Sequence, residues 1–276
     1  MSFTINTNPS SLNAQRNLTA TQRALAGNLA RLSSGYRIVE ASDDAAGLGI
    51  SEKLKAQIKG LSQASRNAND GVSMIQVAEG AMNEQAGILT RLRELAVQAA
   101  NGTLGSDERA FISTEATQIT SELDRISSVT EFNGVKMLGA DAGTVSMQVG
   151  IHGTADDQLD ITFGATDSTT LGVAALDFST AATARTALDT IDTAINTLST
   201  SRATIGAAQN RLQVTMNNLA VAHENLSAAN SRIRDVDVAQ ETSEMTKNQI
   251  LTQAGVSVLS QANQLPSAAL SLLGNK

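Results

Sequence analysis

Apolar residues recur at alternating intervals of four and three along three long stretches of the chain. These stretches cover residues 54–89, 112–126 and 188–233. An apolar repeat of 3.5 residues that persists over many turns predicts a coiled-coil stripe, because the apolar stripe of an ordinary surface helix drifts away from it. The chain is therefore expected to fold as long helices that pack along narrow stripes, giving a rod.

Glycines and polar caps divide the repeat into three helices. The segment NGTLGS (101–106) is expected to end a first helix over 51–100, and Ser106, followed by two acidic residues, is expected to cap the second helix. The third helix is expected over 181–235. Two long helices and a shorter one with narrow apolar stripes predict antiparallel packing.

The apolar period changes from 3.5 to 2 between the second and third helices. Alternate apolar residues occur over 145–151 and again over 159–163, on either side of the segment GTADD (153–157). This pattern predicts a β-hairpin. The expected fold class is therefore mainly α: a long antiparallel coiled-coil bundle with a small β-hairpin region.

The two ends of the chain carry weaker apolar stripes. The N-terminal stripe consists of Leu18, Leu25, Leu29 and Leu32. In the C-terminal stripe large and small residues alternate, at Leu251, Gly255, Val258, Ala262, Leu265, Ala269 and Leu272. Either end alone buries too little to form a stable helix, so both are expected to be disordered until they pack on each other or on neighbouring copies. Pro266 is expected to end or kink the C-terminal helix near Leu265.

The composition argues against a catalytic or metal site. The chain has no Cys, which excludes thiolate zinc sites and cysteine nucleophiles, and its two His disfavour a histidine metal site. We predict no catalytic, metal-binding or cofactor-binding residue, and a protein that is not an enzyme. A net charge of −7 argues against nucleic acid as a partner. No apolar run approaches the ~20 residues that span a bilayer, so no membrane association is expected.

The stretch RLREL (91–95) is the surface cluster that differs most from its surroundings. Arg91 and Leu95 are expected to project from one side of the first long helix, one turn apart. One interpretation is a solvated arginine beside an ordinary packing leucine. The other is a contact patch for a neighbouring subunit or a receptor.

Seven segments of the chain closely resemble bacterial flagellins. They are LSSGYRI (32–38), DDAAGLGISEKL (43–54), QASRNANDGVSMIQVAEGAM (63–82), RLRELAVQAANGT (91–103), FNGVKML (132–138), ENLSAANSRIRDVDVAQETSEMTKNQIL (224–251) and QANQLPSAALSLL (261–273). The resemblance implies a structural subunit that self-assembles into the helical flagellar filament for swimming, after export in an unfolded state by the flagellar type III apparatus. The short middle resembles a near-minimal form without large outer domains. Tyr36 and Asn230 stand where the family more often has leucine and an acid.

The resemblance also implies a division of the chain. Residues 1–44 and 236–276 correspond to inner-core helices that pair in the assembled filament, and residues 45–180 and 181–235 correspond to the outer core. The expected inner-core assembly residues are Leu18, Leu25, Leu29, Leu32, Leu251, Val258, Leu265 and Leu272.

The partners that the resemblance implies are mostly other flagellar proteins. They are further copies of this chain, the filament cap, hook-associated proteins, and an export chaperone on the segment from about Val236. The cluster around RLREL also resembles the flagellin surface that a Toll-like receptor recognises, with Arg91, Leu95 and Glu115 at the matching positions. The implied location is the extracellular flagellum.

Two alternatives share parts of this pattern. A hook-filament junction protein of the same family has the same terminal segments but forms only a short ring. A coiled-coil signalling scaffold has heptads as well, but it is expected to carry a membrane span or a sensor domain. Filament formation by the purified protein distinguishes the first alternative from a filament subunit.

Overall fold

The computed structural model describes residues 7–273, with side chains described as far as residue 264. This part of the chain contains five α-helices: α1 (Pro9–Ser34), α2 (Ala45–Ala99), α3 (Ser106–Val129), α4 (Ala181–Arg234) and α5 (Val238–Leu273). It also contains two pairs of short strands: β1 (Glu131–Phe132) with β2 (Val135–Lys136), and β3 (Thr144–Gln148) with β4 (Gln158–Thr162). The predicted mainly α class is confirmed.

The chain forms two compact units. The central unit covers Gln57–Glu224 and contains α3, the strands and most of α2 and α4. The terminal unit comprises the chain up to Ala56 and from Asn225 onward, and it contains α1 and α5.

A narrow stripe of buried residues runs along each long helix of the central unit. On α2 the stripe advances by three and four residues in turn, through Leu61, Ala64, Ala68, Gly71, Ile75, Ala78, Met82, Gln85, Leu89, Leu92, Ala96 and Ala99. On α4 it passes through Ala184, Ala187, Ile191, Ala194, Leu198, Ile205, Ala208, Leu212 and Leu219. The predicted 3.5-residue period is confirmed in both helices.

Two positions expected in the α2 stripe, Val72 and Ala86, are displaced by one residue. Val72 and Ala86 are only half-buried, whereas the preceding residues, Gly71 and Gln85, are fully buried. A small residue in the contact, such as Gly71, allows two backbones to approach closely, and a larger apolar side chain then lies beside it. The expected stripe therefore had the correct spacing, but it included residues that lie beside the helix contact rather than in it.

Contacts between the helices of the central unit confirm the antiparallel arrangement. Arg93 Nε donates a 2.7 Å hydrogen bond from α2 to Asp192 Oδ1 on α4, and this bond holds the pKa of the Asp192 carboxyl below its usual range. Nearer the start of α2, Gly71 faces Leu212, which lies further along α4. Residue numbers therefore rise along α2 as they fall along α4.

The predicted hairpin is confirmed and packs on α2. Strands β3 and β4 are antiparallel, with Val145 opposite Ile161, and the inward side chains of β4 are buried. A Cβ atom on Gly71 of α2 would lie 3.2 Å from both Met147 Cε of the hairpin and Leu212 Cδ1 of α4. Glycine at this position therefore permits the close approach of three elements.

Two helix ends differ from expectation. Gly105 precedes α3 as its N-cap and makes no side-chain hydrogen bond there, so Ser106 is the first helical residue rather than the cap. Helix α5 continues through Pro266 to Leu273, so of the two predicted effects of this proline, an end or a kink near Leu265, the end is wrong. Proline removes one N–H donor, and the hydrogen bonds of the flanking turns are sufficient to continue a 36-residue helix past that gap.

Candidate assembly site

Helices α1 and α5 of the terminal unit pack against each other in antiparallel orientation. Asn8, at the start of α1, donates a 2.7 Å hydrogen bond to the carbonyl of Ala262 near the end of α5. At the opposite end, Asn28 of α1 contacts Glu241 in the first turn of α5. The N-terminal and C-terminal helices of the chain are therefore partners, as the sequence predicted.

The contact between these helices follows the heptad spacing but is largely polar or small. On α1 the buried and half-buried positions at this spacing are Ser11, Ala14, Leu18, Thr21, Leu25, Asn28 and Leu32. On α5 those at this spacing are Glu241, Met245, Asn248, Thr252, Gly255, Leu259 and Ala262. Only five of these fourteen side chains are large and apolar, so the pair buries less hydrophobic area than a fully apolar stripe would.

A buried polar cluster lies within this contact. Asn28 Nδ2 donates a 2.6 Å hydrogen bond to Glu241 Oε1, and Asn28 Oδ1 accepts a 2.9 Å hydrogen bond from Asn248 Nδ2. Arg31 Nη1 adds a 3.3 Å ion pair with Glu241 Oε1. Asn28 therefore bridges two α5 residues that lie one heptad apart.

Sequence reasoning missed this cluster because it followed apolar residues. The signal that could have found it is spacing: Glu241 and Asn248 continue, at intervals of seven, the positions of Gly255 and Ala262. Polar residues at stripe positions of a coiled coil commonly fix the partner and the register.

The predicted inner-core residues divide into two groups. Leu18, Leu25 and Leu32 lie in the contact between α1 and α5. The others with described side chains face away from it and are exposed: Leu29 (51%), Leu251 (46%) and Val258 (54%). Leu265 and Leu272 lie outside the residues whose side chains are described. The assembly role of all eight stays a prediction.

Further apolar side chains are exposed on the same two helices. Leu12 on α1 and Ile250 and Val256 on α5 are each more than half exposed. Exposed apolar rows of this kind mark surfaces for association with another protein. In the terminal unit, large apolar side chains therefore lie both within the helix contact, as Leu18, Leu25 and Leu32 do, and outside it.

Arg91 and Glu115 form an exposed ion pair between α2 and α3. Arg91 Nη2 lies 2.7 Å from Glu115 Oε1, and its Nη1 lies 2.9 Å from Glu94 Oε2. The hydrogen bond to Glu115 raises the pKa of the Arg91 guanidinium above its ordinary value. Both side chains are accessible from solvent.

Leu95 does not belong to this surface. Its side chain is 1% exposed and lies in the core of the central unit, which agrees with the interpretation of Leu95 as an ordinary packing leucine and contradicts its place in an exposed patch. In this part of α2, Leu92, Leu95 and Ala96 are all buried, so the buried face of the helix is wider than a single stripe. Leu95 is therefore a core residue.

A second cluster lies where the chain leaves α1 and where it enters α5. Tyr36 pairs with Asp235 in an isolated β-bridge, and the Arg234 guanidinium stacks 4.5 Å from the Tyr36 ring centroid. Arg234 also forms an ion pair with Glu52. Tyrosine at position 36 therefore provides an aromatic face for a partly buried arginine, a contact that leucine cannot make.

The residues that the structure describes contain neither a metal-binding cluster nor a membrane-spanning helix. They include no group of three or more His, Cys, Asp or Glu side chains close enough to bind a metal ion. None of the helices has, within its described residues, an apolar stretch long enough to cross a bilayer. Paired terminal helices with exposed apolar rows, joined to a coiled-coil central unit, define a helical structural protein.

Comparison with known proteins gives the particular family. Residues 5–142 match the bacterial flagellin N-terminal helical region and residues 188–273 match the C-terminal helical region. The chain is 46% identical to a flagellin of Halalkalibacterium halodurans over 98% of this chain and 99% of that protein. It is 44% identical to the flagellar filament 33 kDa core protein of Treponema phagedenis, with the same coverage. The chain belongs to the bacterial flagellin family and is a structural subunit of the flagellar filament.

Solved structures agree with this assignment. The crystal structure of Bacillus cereus flagellin matches with a TM-score of 0.50 and 31% identity, over 56% of this chain and 88% of that one. A putative flagellar hook-associated protein from Vibrio parahaemolyticus matches with a TM-score of 0.59 at 13% identity, over 70% of this chain and all of that one. The second likeness concerns the fold alone, so the sequence relatives favour the filament subunit over the junction protein.

Proposed function

We propose that α1 and α5 are the elements through which this subunit polymerises. In this proposal residues 1–44 and 236–276 form the inner core of the filament, and residues 45–180 and 181–235 form the outer core. The exposed apolar rows on α1 and α5 support it, since Leu29, Leu251 and Val258 remain available for neighbouring copies. Copies that bury these rows would gain the hydrophobic stabilisation that the single pair of helices lacks.

The polar contact between α1 and α5 is also compatible with export in an unfolded state. A pair of helices that buries less apolar area than a fully apolar stripe would is more easily separated, and an export chaperone that covers the α5 segment from about Val236 would prevent premature association. The filament lies outside the cell in this proposal, with the cap and hook-associated proteins at its ends. The chain has a structural role and no catalytic one.

Filament elongation tests the proposal directly. Purified subunit is incubated with short sheared filaments, and the lengths are measured by electron microscopy. We expect the seeds to lengthen in proportion to added subunit, because each new copy buries the exposed rows of the last. Seeds that keep their length over a range of subunit concentrations and salts would contradict self-assembly through this chain.

We further propose that the exposed ion pair of Arg91 and Glu115 is a contact for the Toll-like receptor. Both side chains are accessible on neighbouring helices, and arginine is enriched among the residues that dominate binding energy. Leu95 has no direct contact with the receptor in this proposal, because it is buried.

The variant Arg91→Ala is expected to reduce receptor activation by monomeric subunit about tenfold or more. Thermal unfolding should change little, since an exposed ion pair contributes little to stability. Arg125→Ala is the matched control: Arg125 is equally exposed on α3 and pairs with Glu122 of its own helix. Equal activation by the two variants would refute a role for Arg91.

A further inference from the structure

The connection between α2 and α3 contains an asparagine followed by a glycine, Asn101 and Gly102, and a second such pair, Asn133 and Gly134, lies between β1 and β2. Asparagine is chemically labile, because the amide nitrogen of the next residue can attack its side-chain carbonyl carbon. A following glycine leaves that nitrogen accessible, since it has no side chain. All four residues are exposed. The two pairs therefore have the same local sequence and differ in their surroundings.

Two hydrogen-bond donors contact the oxygens of Asn101. Arg109, in the first turn of α3, donates from Nη2 to the backbone carbonyl oxygen of Asn101 at 2.9 Å. The backbone N–H of Thr103 donates to the side-chain oxygen, Asn101 Oδ1, at 3.3 Å. Because this second bond spans Gly102, it folds the Asn101 carboxamide towards the nitrogen of Gly102.

These two oxygens are the atoms on which negative charge develops when the side chain cyclises. When Gly102 N loses its proton, the charge is shared with the backbone carbonyl oxygen of Asn101, where the Arg109 guanidinium stabilises it. When Gly102 N then bonds to Asn101 Cγ, the charge moves to Oδ1, where the N–H of Thr103 donates. Both stages are therefore stabilised by donors that are already in place.

The surroundings of Asn133 are different. Asn133 and Gly134 form the two-residue turn between β1 and β2, with φ angles of 50° and 80°. Strand pairing fixes the angles of such a turn, so rotation of Asn133 towards ring closure opposes the pairing of β1 with β2. Among the residues that the structure describes, no comparable pair of donors contacts Asn133.

We propose that Asn101 is a site of spontaneous deamidation in the folded subunit, promoted by Arg109 and by the backbone N–H of Thr103. Gly102 N loses its proton to water and bonds to Asn101 Cγ, and Nδ2 takes a proton from water and leaves as ammonia. Water then opens the cyclic imide at either carbonyl, giving aspartate or isoaspartate. Each product adds one negative charge to the subunit, and isoaspartate also adds one methylene group to the backbone between α2 and α3.

Arg109 has a structural contact as well. Its Nε donates to the carbonyl oxygen of Ala99 at 3.0 Å, which caps the end of α2. If Arg109 only holds the connection in place, its removal loosens the chain and speeds the reaction at Asn101. If Arg109 stabilises the developing charge, its removal slows that reaction. The two roles therefore predict opposite changes in rate.

Peptide mass spectrometry over time tests the proposal. Purified subunit is incubated at a fixed, mildly alkaline pH, and the mass increase that accompanies deamidation is followed at Asn101 and at Asn133 in the same sample. We expect Asn101 to react about tenfold faster than Asn133 in the folded subunit, and both to react at similar rates in urea, where the donors are lost. Equal rates in the folded subunit, or an unchanged ratio in urea, would overturn the proposal.

Substitutions identify the groups that promote the reaction. Arg109→Ala should slow the reaction at Asn101 about tenfold and leave Asn133 unchanged, since a partly exposed donor is worth less than a buried one. Gly102→Ala should also slow it, because a methyl group crowds the attacking nitrogen; apart from its chain neighbours, a Cβ atom there meets nothing within 4 Å.

Arg125→Ala is the matched control, because Arg125 lies on the same helix and pairs with Glu122. It should leave the rate at Asn101 unchanged. Thermal unfolding verifies the fold of each variant, and Asn133 serves as the reference within each sample. A rate at Asn101 that is unchanged or faster in Arg109→Ala would refute the role of Arg109.

Discussion

A chain that ends at Ile250 is expected to lose all filament elongation while its central unit stays folded. The truncation removes the α5 positions Thr252, Gly255, Leu259 and Ala262, which pack on α1. It also removes the exposed Leu251 and Val258. Elongation of seeds by the truncated and full-length chains, at equal subunit concentration, is the measurement.

The stability of the central unit separates a loss of assembly from a loss of folding. The core of that unit draws its buried residues only from positions 68–212, so the truncation should leave its thermal unfolding and amide hydrogen exchange unchanged. Normal filaments from the truncated chain would show that α5 is dispensable. A central unit that unfolds with the truncation would show that the two units depend on each other for stability.

The sequence predicted the helices of this fold well because the apolar residues of a coiled coil recur at a characteristic spacing. Helix α4 was expected over 181–235 and covers Ala181–Arg234. The hairpin followed from a change of period to two. The spacing of apolar residues and the residue types found in turns are local properties, so a single sequence is sufficient to recognise them.

The sequence predicted the spacing of the buried residues better than it predicted which residue of each turn is buried. At Gly71 and Gln85 of α2 and at Asn248 of α5, a small or polar residue occupies the buried stripe beside a larger or more apolar neighbour. Hydrophobicity ranks the flanking residues higher, whereas the close approach of two backbones favours the small ones. The same preference misplaced Leu29 and Leu251, which are exposed.

The surface cluster at Arg91 was predicted in part. The arginine and Glu115 are accessible, but Leu95 is buried. Helical spacing places Arg91 and Leu95 one turn apart, but it does not show which of the two packs against another helix. The sequence did not indicate that Phe111 is exposed, because an apolar residue beside the stripe of a short helix resembles a core position.

The buried polar cluster carries the second large expected effect. Glu241→Ala removes the oxygen that accepts the hydrogen bond of Asn28 Nδ2 and leaves that buried donor without its partner. An unpaired buried polar group costs about 1–3 kcal/mol. Since α1 and α5 bury less apolar area than a fully apolar stripe would, we expect this cost to separate them and to raise the critical concentration for elongation about tenfold to a hundredfold. Faster amide hydrogen exchange in both helices of the filament should accompany the change.

The variant Glu241→Gln tests whether the hydrogen bond or the charge is responsible. Glutamine keeps a side-chain oxygen that can accept from Asn28, and it loses only the charge that attracts Arg31 at 3.3 Å. Arg31 is partly exposed, so solvent screens its attraction to the carboxylate and the loss should be small. Elongation by Glu241→Gln should therefore stay close to wild type. If Gln and Ala impair elongation equally, the ion pair with Arg31 holds α1 and α5 together; if neither impairs it, the apolar residues of the contact suffice and the cluster is dispensable.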